Sequence, residues 1–547
     1  MTTAAQTAFP AATDVEGSWD WDKIHAPRPL SPLASDCVVM SMSEGFTIAQ
    51  HDFGSSLALH CRMFGNYLYA TFAPDPAFTP KTTDIDEYTR DLTRIAAGIG
   101  ERWVNEWEPS LLPILERART ADYASMTDAQ LQAAFEEQLK NQVYFWTIHG
   151  WINLSLVPAT ALMEFYKAEV KPQDPNEGWQ LTQGYRTKSV DAGNGLWRLS
   201  RIVKASPALT TIFEQVEPQA MMDALEGSAE GRTFLVELRA YLDEFGWRSD
   251  GIYEIGDATW REEPAIPLNT IQGYLRLRDD DNPELALDKA AARREALAAG
   301  ARAVLANDPA KLRQFAVLMD AAKHNLRVTE DHSFWIDQMG TATLRRFALA
   351  AGQRLAEKGV LERTNDVFLL YKHELREALA GRGEWKALVD QRRASMEASA
   401  RIVPPDHIGA PTPPSDDPFF IALVDKMLGF LPVEPSTDPD VITGVAASPG
   451  TVQGTAKVVR SLLEASKLQQ GDIMVCEMTV PTWVPLFATV SGIVADSGGI
   501  LSHCAIVARE FRLPAVVGTH IGTAIIKDGM TVTVDGTKGR VRIDSRR

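Results

Sequence analysis

Apolar residues recur at helical spacing along most of the chain. Tyr88, Leu92, Ile95, Ala96 and Ile99 share one helix face, and so do Leu344, Phe347, Ala348 and Leu355. From about Glu87 to about Ala400 this periodicity predicts a mainly helical unit. It is broken by one stretch, residues 246–264, too rich in Gly and Asp for regular helix. A Pro-rich run at 403–418 reads as an extended connector, followed by a short helical piece at 420–430 and a second linker near 433–440. From Ile442 the texture changes to short β-branched runs bounded by glycines: VQGTAKVV, DIMVCE, GIVAD, AVVGT, MTVTVD and RVRI. A helix is predicted at 502–511 between two of them. The expected fold is multidomain, α plus α/β. A flexible leader (1–16) precedes a large helical domain (17–402), a Pro-rich linker with a short helix (403–441) and a β/α domain (442–547).

Length supports that division, since 547 residues exceed what one compact core holds. Of the 13 tryptophans only Trp483 lies beyond residue 442, so the aromatic surface belongs to the helical part. A formal net charge of −17 argues against a nucleic-acid binder, which needs a basic surface. No apolar run is long enough to span a membrane, and the N-terminus lacks the basic and apolar regions of a secretory signal. A cytoplasmic protein is expected. The four cysteines show no CxxC spacing, so neither a disulfide framework nor a structural zinc site is expected, and no metal-ligating set stands out.

The chemistry concentrates in the run from Asp496 to Gly518, DSGGILSHCAIVAREFRLPAVVG. It reads as strand, tight turn, helix. Gly498 and Gly499 permit a turn that side chains with a Cβ resist. His503 then falls at a helix N-terminus, where amides and the helix dipole favour an anion. Ser502 adds a hydroxyl, and Arg509, two turns on, adds charge. An imidazole so placed can act as a nucleophile toward phosphorus. A bare Ser-His pair would more often be a plain helix cap.

The whole run, however, resembles the mobile domain of phosphoenolpyruvate-utilising enzymes, with its signature GG-x-x-SH-x-A-I-x-A-R-E followed by P-A-V-x-G. GVAASPGTVQG (444–454) and PTWVPLF (481–487) are similar to further parts of that domain. The resemblance implies a swivelling phosphohistidine domain with His503 as the phosphoryl carrier. About 30 residues follow Val517, so the barrel that receives the phosphoryl group in pyruvate-directed relatives is expected to be absent, and pyruvate is not the expected acceptor. The sequence also contains no G-x-G-x-x-G or Walker A run. ATP and Mg²⁺ are therefore expected on a partner ATP-grasp subunit.

The helical part resembles the acceptor domain of rifampicin phosphotransferases and of phenylphosphate-synthase-type enzymes. SWDWDKIHAPRPLSPL (18–33), FGWRSDGIYEIGDATWREEP (245–264) and GVLERTNDVFLLYKHEL (359–375) carry that resemblance. It implies a subunit that phosphorylates a phenolic hydroxyl through His503. The alternatives are an antibiotic or other alcohol phosphotransferase, or a non-catalytic phosphocarrier. In the rifampicin enzymes an R-E-x-x-K helix start supplies positive charge. Here Arg327 is retained, but Asp331 holds the lysine position, with His332 beside it. His332, oriented by Asp331, is the expected general base. Arg327 and Arg248, the latter with Glu254, are expected at the phosphoryl oxygens and acceptor. Trp335 is a candidate pocket wall. His149, in the apolar helix YFWTIHGWINL, is expected to be buried and hydrogen-bonded, with substrate contact as the alternative.

Overall fold

The computed structural model describes all residues except 1–8, 11–13, 24, 175–176, 411–416, 424–434, 461, 480, 501 and 547. Most of the leader, residues 411–416 of the first linker and residues 433–434 of the second therefore lie outside the described residues. So does most of the short helix expected at 420–430, of which a turn at Pro418–Phe420 is described.

The helical unit is built from long amphipathic helices with clear start signals. Those that matter for the site are α1 (Met40–Asp52), α2 (Asp128–Ile152), α3 (Lys188–Lys204), α4 (Ala229–Phe245), α5 (Pro309–His332) and α6 (Thr341–Glu357). Thr127 opens α2 with a reciprocal capping box: its backbone N–H donates to Gln130 Oε1 at 2.8 Å, and its hydroxyl accepts from the Gln130 N–H at 3.3 Å. Asp308 caps α5, accepting from the amides of Ala310 and Lys311 at 3.1 Å, with Pro309 in the first helical position. The periodic residues Leu344, Phe347, Ala348 and Leu355 are all buried on α6. Between α5 and α6 the backbone widens into a π-helical stretch, Ser333–Gly340.

Helical periodicity does not announce the four-stranded sheet at one edge of this unit. Its strands are β1 (Ser18–Trp21), β2 (Leu57–Phe64), β3 (Tyr67–Pro74) and β4 (His407–Gly409), in the order β2-β3-β1-β4. The β2–β3 hairpin turns on Gly65 and Asn66, both at positive φ, the dipeptide chemistry of a tight two-residue turn. Strand β4 falls within the stretch read as connector. It pairs antiparallel with β1, Ser18 opposite Gly409, and so ties the start of that stretch to the helical unit.

The C-terminal unit follows the sequence pattern closely. Strands β5 (Val441–Thr443), β6 (Val445–Ser448), β7 (Thr451–Val458), β8 (Ile473–Cys476), β9 (Gly492–Ala495), β10 (Ala515–Val517), β11 (Thr531–Asp535) and β12 (Arg540–Ser545) form one sheet. Its order is β5-β12-β11-β7-β8-β9-β10-β6, and the central β7, β8, β9 and β10 run parallel. Helix α7 (His503–Phe511) crosses from β9 to β10. No helix among the described residues is long and apolar enough to cross a membrane.

Candidate active site

His503 is the first residue of α7, at the carboxyl end of β9. The turn that presents it is braced from below. The Asp496 carboxylate accepts from Thr519 Oγ1 at 2.7 Å and from the Thr523 N–H at 3.1 Å. Gly498 sits at φ +109°, and a Cβ there would come within 2.8 Å of Ser502 Oγ. That oxygen is needed as the helix cap, accepting from the Ala505 N–H at 3.4 Å. Arg509 does not direct charge at His503, contrary to the sequence expectation. Its side chain is buried and donates to the carbonyls of Ala447 and Ile500 at 2.9 and 2.8 Å. Two turns along the helix it points back under the turn, so it holds the loop together.

The C-terminal unit is docked against the helical one with His503 in the seam. His503 Nδ1 lies 3.1 Å from Glu330 Oε1 on α5, and both side chains are largely enclosed. His503 Nε2 and Glu330 Oε2 are buried without a hydrogen-bond partner. Beside them the segment before α3 meets the end of α7. Gln183 donates to the Arg509 carbonyl at 2.9 Å, and the Gly184 N–H donates to both Glu510 oxygens. Gly184 is at φ +74°, and a Cβ would lie 2.3 Å from the Ala291 nitrogen, so only glycine fits that turn. The Arg509 guanidinium stacks 4.4 Å over Trp179. Burial in this seam pushes the Glu510 carboxyl up to about 7.

Three consecutive residues of α5 face three directions, as a 3.6-residue turn requires. Glu330 meets His503. Asp331 accepts from the Lys188 N–H at 2.7 Å, capping α3, and from Arg327 Nε at 2.9 Å. His332 turns the other way. Its Nδ1 is 2.9 Å from the Val328 carbonyl, and its ring stands edge-on to His149 at 4.5 Å. Asp331 therefore does not orient His332. Burial lowers the His332 pKa to about 4, which leaves it neutral at pH 7 but a weak base. His149, partly buried, pairs through Nδ1 with Asp337 Oδ1 at 2.8 Å. Burial alone would raise the Asp337 pKa, but His149 outweighs it and holds the carboxyl below its ordinary value.

Arg248 is the unusual cation. It is fully buried and, among the described residues, has no carboxylate within ion-pair distance. Its Nη2 donates to the Lys188 carbonyl at 3.3 Å, its guanidinium lies 5.0 Å over Phe334, and its Nε is unpartnered. Burial lowers its pKa to about 10, against the charges of Glu330 and Asp331, which act on it. A buried guanidinium without a counterion is costly unless an anion completes it.

Glu254 does not join Arg248. It accepts from the Ser31 N–H at 2.6 Å and the Ser31 hydroxyl at 2.8 Å, and burial raises its pKa to about 7. It lines a separate cleft of about 640 Å³ between the two units, with Ser31 and His25 on one side and Arg460, Glu477 and Trp483 on the other. The Glu477 carbonyl accepts from the Ser497 N–H at 2.9 Å, so one wall of this cleft backs onto the turn that carries His503. Trp335 lies beside Lys188, whose ammonium is 5.3 Å from its ring. Arg327 is half exposed and, among the described residues, pairs with Asp331. Sequence reasoning missed Glu330, Asp337, Lys188 and the Gly184–Glu510 contact. Glu330 stood inside the stretch singled out, but only the helix phase shows which of three neighbours faces the histidine.

Comparison with known proteins places these units. Residues 150–330 match the rifampicin phosphotransferase fourth domain, and residues 468–539 match the mobile domain of PEP-utilising enzymes. Chondramide synthase cmdD of Chondromyces crocatus is 29% identical over 97% of this chain, which spans 14% of that protein. The phosphotransferase YvkC of Bacillus subtilis is 28% identical over 98% of this chain, which spans 63% of its length. A rifampicin phosphotransferase of Streptomyces sviceus is 28% identical over 64% of this chain and 39% of its own length. The chain thus carries a PEP-utilising enzyme mobile domain, behind a region similar to the fourth domain of rifampicin phosphotransferase.

Proposed function

We propose that this chain is the acceptor and carrier part of a phosphotransferase, with His503 taking up a phosphoryl group and passing it to a phenolic hydroxyl. One observation carries this reading. His503 Nε2, Glu330 Oε2 and Arg248 Nε are all buried without partners; Glu330 Oε1 lies 3.1 Å from His503, and the charge of Glu330 acts on Arg248. Buried polar atoms are nearly always satisfied, and three orphans at one seam, a cation among them, leave room for an anionic group. A phosphoryl group on Nε2 supplies an anion for Arg248.

The transfer step balances with these residues. The acceptor oxygen bonds to phosphorus as the P–Nε2 bond breaks and its electron pair returns to the ring. Because Nδ1–H is held by Glu330, the departing ring is neutral imidazole rather than imidazolate, a better leaving group. Glu330 also stabilises the positive charge on the phosphorylated ring, and Arg248 faces the charge on the phosphoryl oxygens. The acceptor proton passes to the free oxygen of Glu330 as the step completes. His332 is not placed for that proton, since it turns away from the side on which Glu330 meets His503 and its Nδ1 lies on the Val328 carbonyl.

Charging of His503 is assigned to an ATP-grasp partner that binds ATP and Mg²⁺. The sequence offers no nucleotide-binding glycine loop. A second reading is a larger hydroxyl acceptor, such as an antibiotic. The 640 Å³ cleft favours it, being far roomier than one phenol ring needs, and relatives are named rifampicin phosphotransferases. The test is to mix the chain with its ATP-grasp partner, Mg²⁺, ATP, a panel of phenols and a rifamycin, following products by mass spectrometry. Aryl phosphate that requires His503 supports the first reading, and phosphorylated rifamycin supports the second. Phosphate on His503 with no product from any hydroxyl would remove both.

A further inference from the structure

The cluster formed by His149, His332 and Asp337 is not used in that transfer step. One ligand atom from each residue lies within 4.8 Å of the other two. The three come from α2, from the last turn of α5 and from the π-helical stretch that follows it. We propose that they form a binding site for one divalent first-row transition-metal cation, Zn²⁺ foremost.

Local geometry supports this on three counts. The first is the donor set. Two imidazoles and one carboxylate make a three-residue set that leaves a position open, as in hydrolytic zinc sites and facial-triad iron sites. The second is the outer contact. His332 Nδ1 is held by the Val328 carbonyl at 2.9 Å, the kind of bond that fixes a ligating histidine and leaves its Nε2 for the ion. The third is the backbone. His332 and Asp337 are five residues apart, which in an α-helix turns them about 140° from one another. The wider i→i+5 winding of the π stretch brings the fifth residue round to the same side, and such irregularities cluster at functional sites.

The set draws in from separations of up to 4.8 Å when it binds. Atoms bound to one ion at about 2.0–2.2 Å stand roughly 3.3 Å apart. Asp337 Oδ1 and His149 Nδ1 are already at 2.8 Å. His149 is 17% exposed, which leaves a route in for the ion. Phe46 and Trp146, with ring centroids 5.3 and 5.0 Å from His149, wall the other sides and limit competing water. The ligands lie at 149, 332 and 337, without any metal-binding spacing, so the sequence alone does not reveal them.

Binding is argued from ligand geometry alone. The ion is assigned no part in the transfer step, because His332 turns away from the side on which Glu330 meets His503. The test reads binding without substrate. The metal-stripped full chain is titrated with Zn²⁺ by calorimetry, and with Co²⁺ by its visible d–d absorption. One equivalent per chain is expected, with four- or five-coordinate Co²⁺ bands. His332→Ala and Asp337→Asn should each weaken binding at least ~100-fold, and His324→Ala, at an exposed position of the same helix, should leave it unchanged. Should either buried variant fail to fold, His149→Gln decides by the same loss. No stoichiometric binding, or binding indifferent to these three positions, overturns the site.

Discussion

The two units build their chemistry in opposite ways. In the C-terminal unit the proposed nucleophile His503, its cap, its turn glycine and its bracing aspartate all lie between Asp496 and His503. A single β-turn-helix element positions them, whatever the rest of the molecule does. In the helical unit the facing residues are His149, Lys188, Arg248, Glu330 and Asp337, drawn from three helices, a π stretch and a loop. Each is placed by packing across nearly two hundred residues of chain. A carrier that must move needs its site on one rigid element, while an acceptor that must enclose a substrate needs walls from several.

That contrast can be broken at its strongest point first. His503→Gln should reduce phosphoryl transfer by at least ~10³-fold, because no other group replaces a covalent carrier, while circular dichroism shows the fold intact. Turnover near the parent level would end the carrier assignment. Arg248→Met sharpens the other side. Transfer from phosphorylated His503 to the acceptor should fall by ~10²–10³-fold with charging of His503 unaffected. The melting temperature should hold or rise, since a buried charge without a carboxylate is replaced by an apolar side chain. A large loss of stability would mean that the guanidinium is structural.

The seam between the units has a pH dependence of its own. Glu510 has a carboxyl raised to about 7 in the docked arrangement, against an ordinary 4.5 when the unit swings free. A group with a raised pKa in one state favours that state most when protonated. The docked arrangement is thus most favoured below about 4.5 and loses this contribution as pH rises through about 7. Interdomain distances from paired fluorophores should lengthen over that interval, and Glu510→Gln should flatten the change. An identical titration in the variant would show that Glu510 is not the group. The smallest effect is expected at Arg327. Half exposed and paired with Asp331, it should cost less than ~1 kcal/mol on replacement by alanine, and under about 5-fold in transfer rate.

The same contrast explains what could be read from the chain. All six β-branched runs after Ile442 are strands, and Ser502 caps the helix that begins at His503. Those features depend on neighbours within a few residues. Arg509 shows the limit even there: helix spacing placed it two turns on, but not its turn inward to the Ala447 and Ile500 carbonyls. In the helical unit, the interruption at 246–264 is indeed irregular and carries Arg248 into the core. Adjacency in sequence suggests Asp331 as the partner of His332, but the helix turns His332 Nδ1 onto the Val328 carbonyl, and Asp337, which pairs with His149, lies in a π-helical stretch that no periodicity anticipates. The β2–β3 hairpin went unmarked although its Gly65-Asn66 turn is a local signal, because helical spacing dominated the surroundings.

The central claim is that His503 both receives and surrenders a phosphoryl group. It can be tested without any partner by phosphorylating the purified chain with phosphoramidate, a small chemical donor to histidine. The modified residue is mapped by mass spectrometry, and the phosphate is chased with the phenol and rifamycin panel. Acid-labile phosphate on His503 that moves to a hydroxyl acceptor, in a form abolished by His503→Gln and slowed by Arg248→Met, is the expected outcome. Phosphate settling on other histidines, or remaining on His503 whatever acceptor is offered, would contradict the account.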